Sequence, residues 1–274
     1  MYDAAWISRY YDEYGEREWD RLDASAPAMD RVNFETHRAL LREFVRDGDR
    51  VLEVGAGPGR FTLELARLGA RVVVADISPR QLELNREKVC AAGLEAHVEA
   101  RHIVDVVDLA KFEDGSFDAA VCYGGPISYV FERAGDAVSE LLRVTRPQGH
   151  VLLSVMSRLG STQRYLPAVF ELVEEFGLEQ VRHIFETGDL SAEINNGHRL
   201  HMFTWSELEG LLAGQPCTLV TASAANYLSL REDELLDGLD ERLWGAFLEW
   251  ELEACRQPGA LDGGTHMIAV VRRD

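Results

Sequence analysis

The sequence of 274 residues predicts a doubly wound α/β protein built on a mostly parallel sheet. Two observations lead to this prediction. Short runs rich in β-branched residues alternate with helical segments from about residue 50 onwards, and three glycines separate the first run from the helix that follows it. Strands that alternate with helices pair in parallel through right-handed crossovers, with helices on both faces of the sheet.

The individual elements follow from changes in hydrophobic period along the chain. Strands are predicted at 51–54, 71–76, 117–123, 150–156, 218–224 and 265–273, with a weaker strand near 96–102. Helical spacing marks residues 32–45, 59–69, 79–92, 133–145, 162–176 and 232–255. The order of these elements places the carboxyl ends of the parallel strands along one edge.

Composition is that of an ordinary folded and acidic protein. Apolar residues make up 46% and charged residues 27%, and 47 Asp and Glu against 28 Lys and Arg give a net charge of -19. A field of this sign repels phosphate backbones, so no nucleic-acid partner is expected.

Neither a membrane partner nor a metal site is expected from the sequence. The first 20 residues lack the basic start and apolar run of a signal peptide, and no apolar stretch reaches 18 residues. The cysteines lie far apart without C-x-x-C spacing, at Cys90, Cys122, Cys217 and Cys255. We therefore expect a cytoplasmic protein without disulfides or zinc.

A glycine loop follows the first predicted strand, in the sequence VLEVGAGPGR at 51–60. Gly55, Gly57 and Gly59 let the backbone turn tightly and let a ligand approach without meeting a Cβ. The spacing departs from the G-x-G-x-x-G of dinucleotide-binding loops, because Arg60 stands where the third glycine is required. Pro58 also removes a backbone donor that a phosphate would use. The loop predicts a ligand at the strand's carboxyl end and weakens its interpretation as a pyrophosphate site.

Acidic residues follow the next two strands. Asp76 ends the run RVVVAD, where a carboxylate can accept hydrogen bonds from ribose hydroxyls in nicotinamide-binding and other adenosine-binding folds alike. Asp76 could instead serve the following helix, although Ser78 and Pro79 already supply a cap and a first-turn residue. Asp105 opens the stretch DVVDL, and Asp118 ends the stretch FEDGSFD. The pattern indicates an adenosine ligand without identifying it.

In order along the chain, E-x-G-x-G-x-G, the acidic strand end and D-x-x-D-L resemble the motifs of class I S-adenosylmethionine-dependent methyltransferases of the small-molecule type. The resemblance is strongest over about residues 50–156. It implies a Rossmann-like sheet of seven strands, the last antiparallel, with S-adenosylmethionine as cofactor and S-adenosylhomocysteine as product. It implies that Glu53 orients the cofactor's amino acid end and that Asp105 and the Val106 amide contact the adenine. The cofactor contacts it predicts are Glu53, Gly55, Ala56, Gly57, Gly59, Asp76, Ile77, Asp105, Val106, Cys122 and Tyr123.

The methyl acceptor is expected to be a small molecule whose reacting O, N or C atom the sequence does not identify. Tyr14, Tyr123 and Tyr129 are predicted to contact it. A sulfonium methyl group is already activated, so in-line displacement mainly requires alignment and exclusion of water. For a hydroxyl acceptor, His198 and His201 are candidate bases, with solvated histidines of a polar loop as the alternative.

Four parts of the chain are expected: an N-terminal helical cap (1–46), a cofactor-binding half of the α/β core (47–157), an inserted lobe or lid (158–203) and a C-terminal part of the core (204–274). A Leu- and Trp-rich helix near 232–255 predicts core packing or a homodimer face. Aromatic residues of the cap could close over the cofactor, with ordinary helix packing as the alternative: Tyr10, Tyr11, Tyr14, Trp19 and Phe34.

Two other functions remain open from the sequence. A nicotinamide-dependent oxidoreductase would use a related sheet and the same acidic strand end. A non-catalytic protein would keep the fold and bind S-adenosylmethionine or its product only to regulate a partner.

Overall fold

A computed structural model describes residues 1–20, 26–194 and 197–274. Within these ranges the strands are β1 Arg50–Val54, β2 Arg71–Asp76, β3 Val98–Ile103, β4 Phe117–Cys122, β5 Thr145–Met156, β6 Asp189–Leu190, β7 Leu200–His201, β8 Cys217–Ala224 and β9 His266–Arg273. The α-helices are α1 Ala4–Tyr14, α2 Arg17–Asp20, α3 Ala28–Phe44, α4 Arg60–Arg67, α5 Pro79–Ala91, α6 Pro126–Tyr129, α7 Ala134–Val144, α8 Arg158–Arg164, α9 Leu166–Phe176, α10 Leu178–Thr187, α11 Trp205–Ala213, α12 Asp233–Asp237 and α13 Glu241–Cys255.

The main sheet has seven strands in the order β3-β2-β1-β4-β5-β9-β8. All neighbouring pairs from β3 to β5 are parallel, whereas β9 runs antiparallel to both β5 and β8. The predicted Rossmann-like sheet with an antiparallel last strand is confirmed. Because β1 lies between β2 and β4, the strand order reverses there, and a crevice opens beyond the carboxyl ends of β1 and β4.

The sheet is covered on both faces, which explains why its strands read as near-continuous apolar runs. In β2, Val72 and Val74 pack into the core on one face, and Val73 and Ala75 pack into the core on the other. This double burial fixes the register of the central strands, and with it the position of the residues at their carboxyl ends.

Two predicted helices are interrupted, each for a local reason. The helix predicted over 162–176 is divided at Tyr165 into α8 and α9, and Pro167 stands in the first turn of α9, where a missing N–H costs little. The stretch 232–255 is divided between α12 and α13, because Gly238 ends the first helix and the Asp240 carboxylate caps the second. Among the residues described, no helix has both the length and the apolar composition to cross a bilayer.

Candidate functional site

The glycine loop joins β1 to α4 beside the carboxyl end of β2. Gly55, Gly57 and Gly59 have φ angles of 71°, 52° and 100°, which disfavour residues with a Cβ. The Gly55 amide donates to the Ala75 carbonyl at 2.9 Å, so the loop is tied to β2. A Cβ at Gly55 would lie 2.3 Å from Cγ of Pro126. The bare backbone at Gly55 and Gly57 therefore forms one wall of a cavity.

The Asp76 carboxylate is fixed by backbone donors on both of its oxygens. The Gly57 amide donates to Oδ2 and the Ser78 amide donates to Oδ1, each at 2.8 Å. Burial raises the pKa of Asp76 to about 6, and the two backbone donors oppose that rise. Asp76 thus lines the cavity in one defined orientation.

The Glu53 carboxyl lies beneath the glycine loop rather than in the cavity wall. The Thr62 hydroxyl donates to it at 2.6 Å, the Asn85 amide donates to Thr62 at 2.8 Å, and Arg101 donates to Asn85 at 3.0 Å. Burial raises the pKa of Glu53 to about 8. Glu53 therefore anchors the start of α4, and its predicted contact with the cofactor stays a prediction.

Asp105 lies across the cavity from the glycine loop. The Tyr2 hydroxyl and the Val107 amide donate to its carboxylate. Burial raises its pKa, and the backbone hydrogen bond opposes this.

The first cavity encloses about 670 Å³ of empty space at the carboxyl ends of β1, β2 and β4. Among the described residues that line it are three carboxylates, Glu18, Asp76 and Asp105, and no Lys, Arg or His. The predicted contacts that it brings together are Gly55, Gly57, Asp76, Ile77, Asp105 and Val106. The predicted contacts that lie outside its lining are Glu53, Ala56, Gly59, Cys122 and Tyr123.

The side chains of Cys122 and Tyr123, at and just after the end of β4, are buried, and their predicted contacts with cofactor and acceptor stay predictions. Cys122 is fully buried in the core at the end of β4. Tyr123 is also buried, and its ring packs edge-on against His37 and Phe61, with ring centroids 4.6 and 5.2 Å apart. Alternation along the strand directs these neighbouring side chains into the cores on the two faces of the sheet.

The N-terminal segment covers the first cavity. Ser8 of α1 donates to the Ile77 carbonyl at 3.1 Å, and the Gln81 amide donates to the Tyr11 carbonyl at 2.9 Å. The Asp12 carboxylate accepts from the Ser78 hydroxyl at 2.5 Å. Tyr11 lines the cavity and belongs to the aromatic cap that the sequence suggested could close over the cofactor. Sequence reasoning missed other lining residues, among them Tyr2, Ile7, Glu18 and Gln81.

A second cavity, the acceptor chamber, adjoins the first and encloses about 1320 Å³. Both cavities are lined by Tyr11, Glu18, Gly124 and Tyr129. The remaining lining residues of the acceptor chamber are Tyr10, Tyr14, Met29, Asp30, Asn33, Met156, Ser161, Tyr165, Leu190, His198, Leu200, Met202, Thr265 and His266. No Lys or Arg occurs among them.

His198 and Tyr129 meet at the boundary between the two cavities. Nε2 of His198 lies 3.0 Å from the Tyr129 hydroxyl, and the Tyr10 ring stacks on the imidazole with centroids 4.8 Å apart. The predicted contacts Tyr14, Tyr129 and His198 therefore come together in one chamber. His201 does not join them, because its ring is bound to the Asp189 carboxylate at 2.6 Å and packs on Phe203.

The opposite wall of the acceptor chamber was missed by sequence reasoning. It is polar, and the Asn33 amide lies 3.2 Å from Nδ1 of His266. Asn33 comes from α3 and His266 from β9, and no local motif marks either residue. Among the residues that the structure describes, no group of three or more His, Cys, Asp and Glu is placed to hold a metal ion.

Comparison with known proteins agrees with this geometry. A family model described as a methyltransferase domain matches residues 51–149. A demethylmenaquinone methyltransferase of Clavibacter sepedonicus is 40% identical over 110 residues, which are 40% of this chain and only 42% of that protein. A ubiquinone biosynthesis O-methyltransferase of Xanthomonas oryzae pv. oryzae is 32% identical over 189 residues, 68% of each chain.

The chain belongs to the S-adenosylmethionine-dependent methyltransferase family. This confirms the family that the motifs predicted. The crystal structure of magnesium protoporphyrin IX methyltransferase from Synechocystis PCC 6803 has the same fold, with a TM-score of 0.63, 14% identity and 99% of each chain covered.

The lining of the first cavity fits S-adenosylmethionine, the cofactor of the family to which the chain belongs. A sulfonium cation is attracted by Glu18, Asp76 and Asp105, whereas the diphosphate of a nicotinamide dinucleotide would be repelled by them. The glycine wall admits a ligand that a Cβ would exclude, and Asp76 presents a fixed carboxylate for ribose hydroxyls.

Proposed function

We propose that this chain transfers the methyl group of S-adenosylmethionine to the hydroxyl group of a neutral small molecule bound in the acceptor chamber. The observation that carries the proposal is the pair of adjoining cavities that share Tyr129 and Gly124. The first cavity suits the cofactor, and the second offers its acceptor a position next to it.

Charge restricts the acceptor. The described lining of the chamber includes the carboxylates of Asp30 and Glu18 and contains no Lys or Arg, so an acceptor with a free carboxylate or phosphate would be bound poorly. Neutral molecules escape this penalty. The tyrosines of the chamber supply flat apolar surfaces with polar tips, which suit an aromatic acceptor.

S-Adenosylmethionine supplies a methyl group that its sulfonium has already activated. The residues of the chain hold the acceptor in line with the methyl group and exclude water. Water is excluded by α1 and the inserted lobe (158–203), which cover the two cavities. The Tyr129 hydroxyl accepts the proton of the acceptor hydroxyl while it donates its own proton to Nε2 of His198. The name of the Xanthomonas oryzae relative, an O-methyltransferase, supports an oxygen acceptor.

A nitrogen acceptor is the second candidate. The carboxylates of Asp30 and Glu18 together with the surrounding tyrosine rings would attract a protonated amine. This candidate needs a base only to release the ammonium proton, so it depends less on His198.

The decisive experiment measures S-adenosylhomocysteine formed with panels of neutral phenols, amines and carboxylates, alongside calorimetric binding of the cofactor. We expect turnover with phenols, and His198→Gln should lower kcat by about 100-fold or more without weakening cofactor binding. His201→Gln is the matched control, because His201 lies in the same lobe but outside the chamber.

Each other outcome has a defined meaning. Turnover with amines alone would replace oxygen by nitrogen as the acceptor atom. Tight cofactor binding without turnover on any panel would support the non-catalytic regulator, and binding of NAD in preference to S-adenosylmethionine would overturn the proposal.

A further inference from the structure

The inserted lobe contains an apolar cavity of about 930 Å³, here called the lobe cavity. It lies between α8, α9 and α10, and neither α9 nor α10 has a single buried residue in spite of many apolar side chains. No charged residue occurs in the described part of its lining. The apolar residues that line it include Val169, Leu172, Val181, Ile184, Phe185 and Ile194.

The lobe cavity adjoins the acceptor chamber. Ser161, Tyr165, Leu190 and Met202 line both of them. A group attached to an acceptor in the chamber would have to extend past only these four side chains to enter the lobe cavity.

We propose that the lobe cavity is a subsite for an apolar substituent of the methyl acceptor, such as an alkyl chain. The proposal rests on the proposed function, since it assumes that the acceptor chamber binds the acceptor. The substrate class is then a neutral hydroxyl-bearing head with an apolar tail. The tail completes the packing that α9 and α10 lack, and its burial removes apolar surface from water on both sides.

The charge of the lobe argues against a lipid bilayer as the occupant of its apolar surface. Phe170 and Leu178 are exposed on the outside of the lobe. The same stretch, 166–187, carries five Glu and a single Arg, so it is repelled by the anionic surfaces that attract peripheral proteins. An apolar tail that enters from the acceptor chamber meets no such charge.

The test is calorimetric binding of para-ethylphenol, para-butylphenol and para-hexylphenol to the full chain in the presence of S-adenosylhomocysteine. We expect each added methylene to raise affinity by about two- to fourfold, because it is buried in the lobe cavity. Because the binding test needs no methyl transfer, it is independent of the turnover test. The subsite proposal can be refuted while phenols are still methylated, and the proposed function can be refuted while affinity still depends on chain length.

A bulky substitution supplies the second arm. Leu172→Trp fills the lobe cavity and should remove the gain from para-ethylphenol to para-hexylphenol, while the affinity for para-ethylphenol changes less than about twofold. Phe170→Trp on the outer face of α9 is the matched control and should bind all three phenols as the wild type does. Leu172 is only partly buried, so the variant retains its core.

Three results would overturn the proposal. The first is an affinity for the phenols that does not change with chain length. The second is an equal effect of Leu172→Trp and Phe170→Trp on the affinity gained from para-ethylphenol to para-hexylphenol. Cosedimentation with phosphatidylcholine vesicles that Phe170→Glu abolishes, together with flat chain-length dependence, would assign the apolar surface to a lipid bilayer instead.

Discussion

Two buried carboxyl groups at the site oppose folding when they ionise. Glu53 is 2% exposed and Asp76 is 6% exposed, and burial raises the pKa of both. Between the ordinary pKa of Glu53 near 4.5 and its folded value of about 8, the folded chain holds a proton that the unfolded chain has released. Folding stability contributed by this group therefore falls as pH rises through that window.

Glu53→Gln should remove this pH dependence. Glutamine cannot ionise and its amide oxygen still accepts the Thr62 hydrogen bond, so the cofactor-free variant should gain stability over the wild type by up to about 1 kcal/mol for each pH unit between about pH 5 and about pH 8. Urea midpoints at about pH 5 and about pH 8 measure the effect. The exposed Glu113→Gln is the control and should leave the difference unchanged. Parallel pH profiles for wild type and Glu53→Gln would contradict the raised pKa.

Two effects of a side chain at Gly55, backbone strain and a direct clash, can be measured separately. Gly55 and Gly93 have φ angles of 71° and 72°, but an added Cβ collides with Pro126 only at Gly55 and meets nothing within 4 Å at Gly93. We expect Gly55→Ala and Gly93→Ala to share a strain of about 1–2 kcal/mol. Calorimetry should show cofactor affinity reduced by about tenfold or more in Gly55→Ala alone. Equal affinities in the two variants would show that the loop wall tolerates a Cβ.

At the level of elements, α1 is held over the first cavity by polar contacts with the start of α5. Asp12 accepts from the Ser78 hydroxyl and the Arg80 amide, and so connects the cover to the residues that follow Asp76. Under the proposed function, cofactor exchange would require α1 to move away, because its residues Ile7 and Tyr11 line the first cavity.

Asp12→Ala should therefore accelerate release of S-adenosylhomocysteine by about threefold to tenfold with a smaller effect on overall stability. Glu13→Ala removes the same charge from the same helix at an exposed position and should not change the rate. Stopped-flow displacement measures both rates. If the two variants release product equally fast, α1 does not control exchange through Asp12.

The strands were predictable because their signals are local. The run RVVVAD was placed at residues 71–76 as β2 because double burial demands β-branched residues, and the glycine loop marked where β1 ends. The start of β5 at Thr145 was missed, because residues 145–149 contain Arg, Pro, Gln and Gly that resemble a turn. The helix interruptions near Tyr165 and Gly238 were not predicted, because a periodic hydrophobic pattern does not show which local capping residues will end a helix.

At the scale of the whole molecule, the two cavities depend partly on contacts between residues that are distant in the sequence, and the sequence does not predict which of these residues meet. Asp76 and Gly57 were predicted because a single βαβ unit brings them together. Asn33, Thr265 and His266 share a wall of the acceptor chamber although more than 200 residues separate the first from the other two. The ring of Tyr123 packs against His37 of α3 and Phe61 of α4, two partners that its place at the end of a predicted strand does not identify.

The net charge of -19 and the carboxylates of the first cavity act on the cofactor together. S-Adenosylmethionine carries one positive charge more than S-adenosylhomocysteine, and the two are otherwise nearly alike. Raising the salt concentration from about 20 mM to about 0.5 M should therefore weaken S-adenosylmethionine binding by about fivefold and S-adenosylhomocysteine binding by less than about twofold. Calorimetry at both salt concentrations measures the difference, and Glu18→Gln should reduce it, because Glu18 lines the cavity. Equal salt dependence for the two ligands would mean that neither the cavity carboxylates nor the overall field acts on the sulfonium.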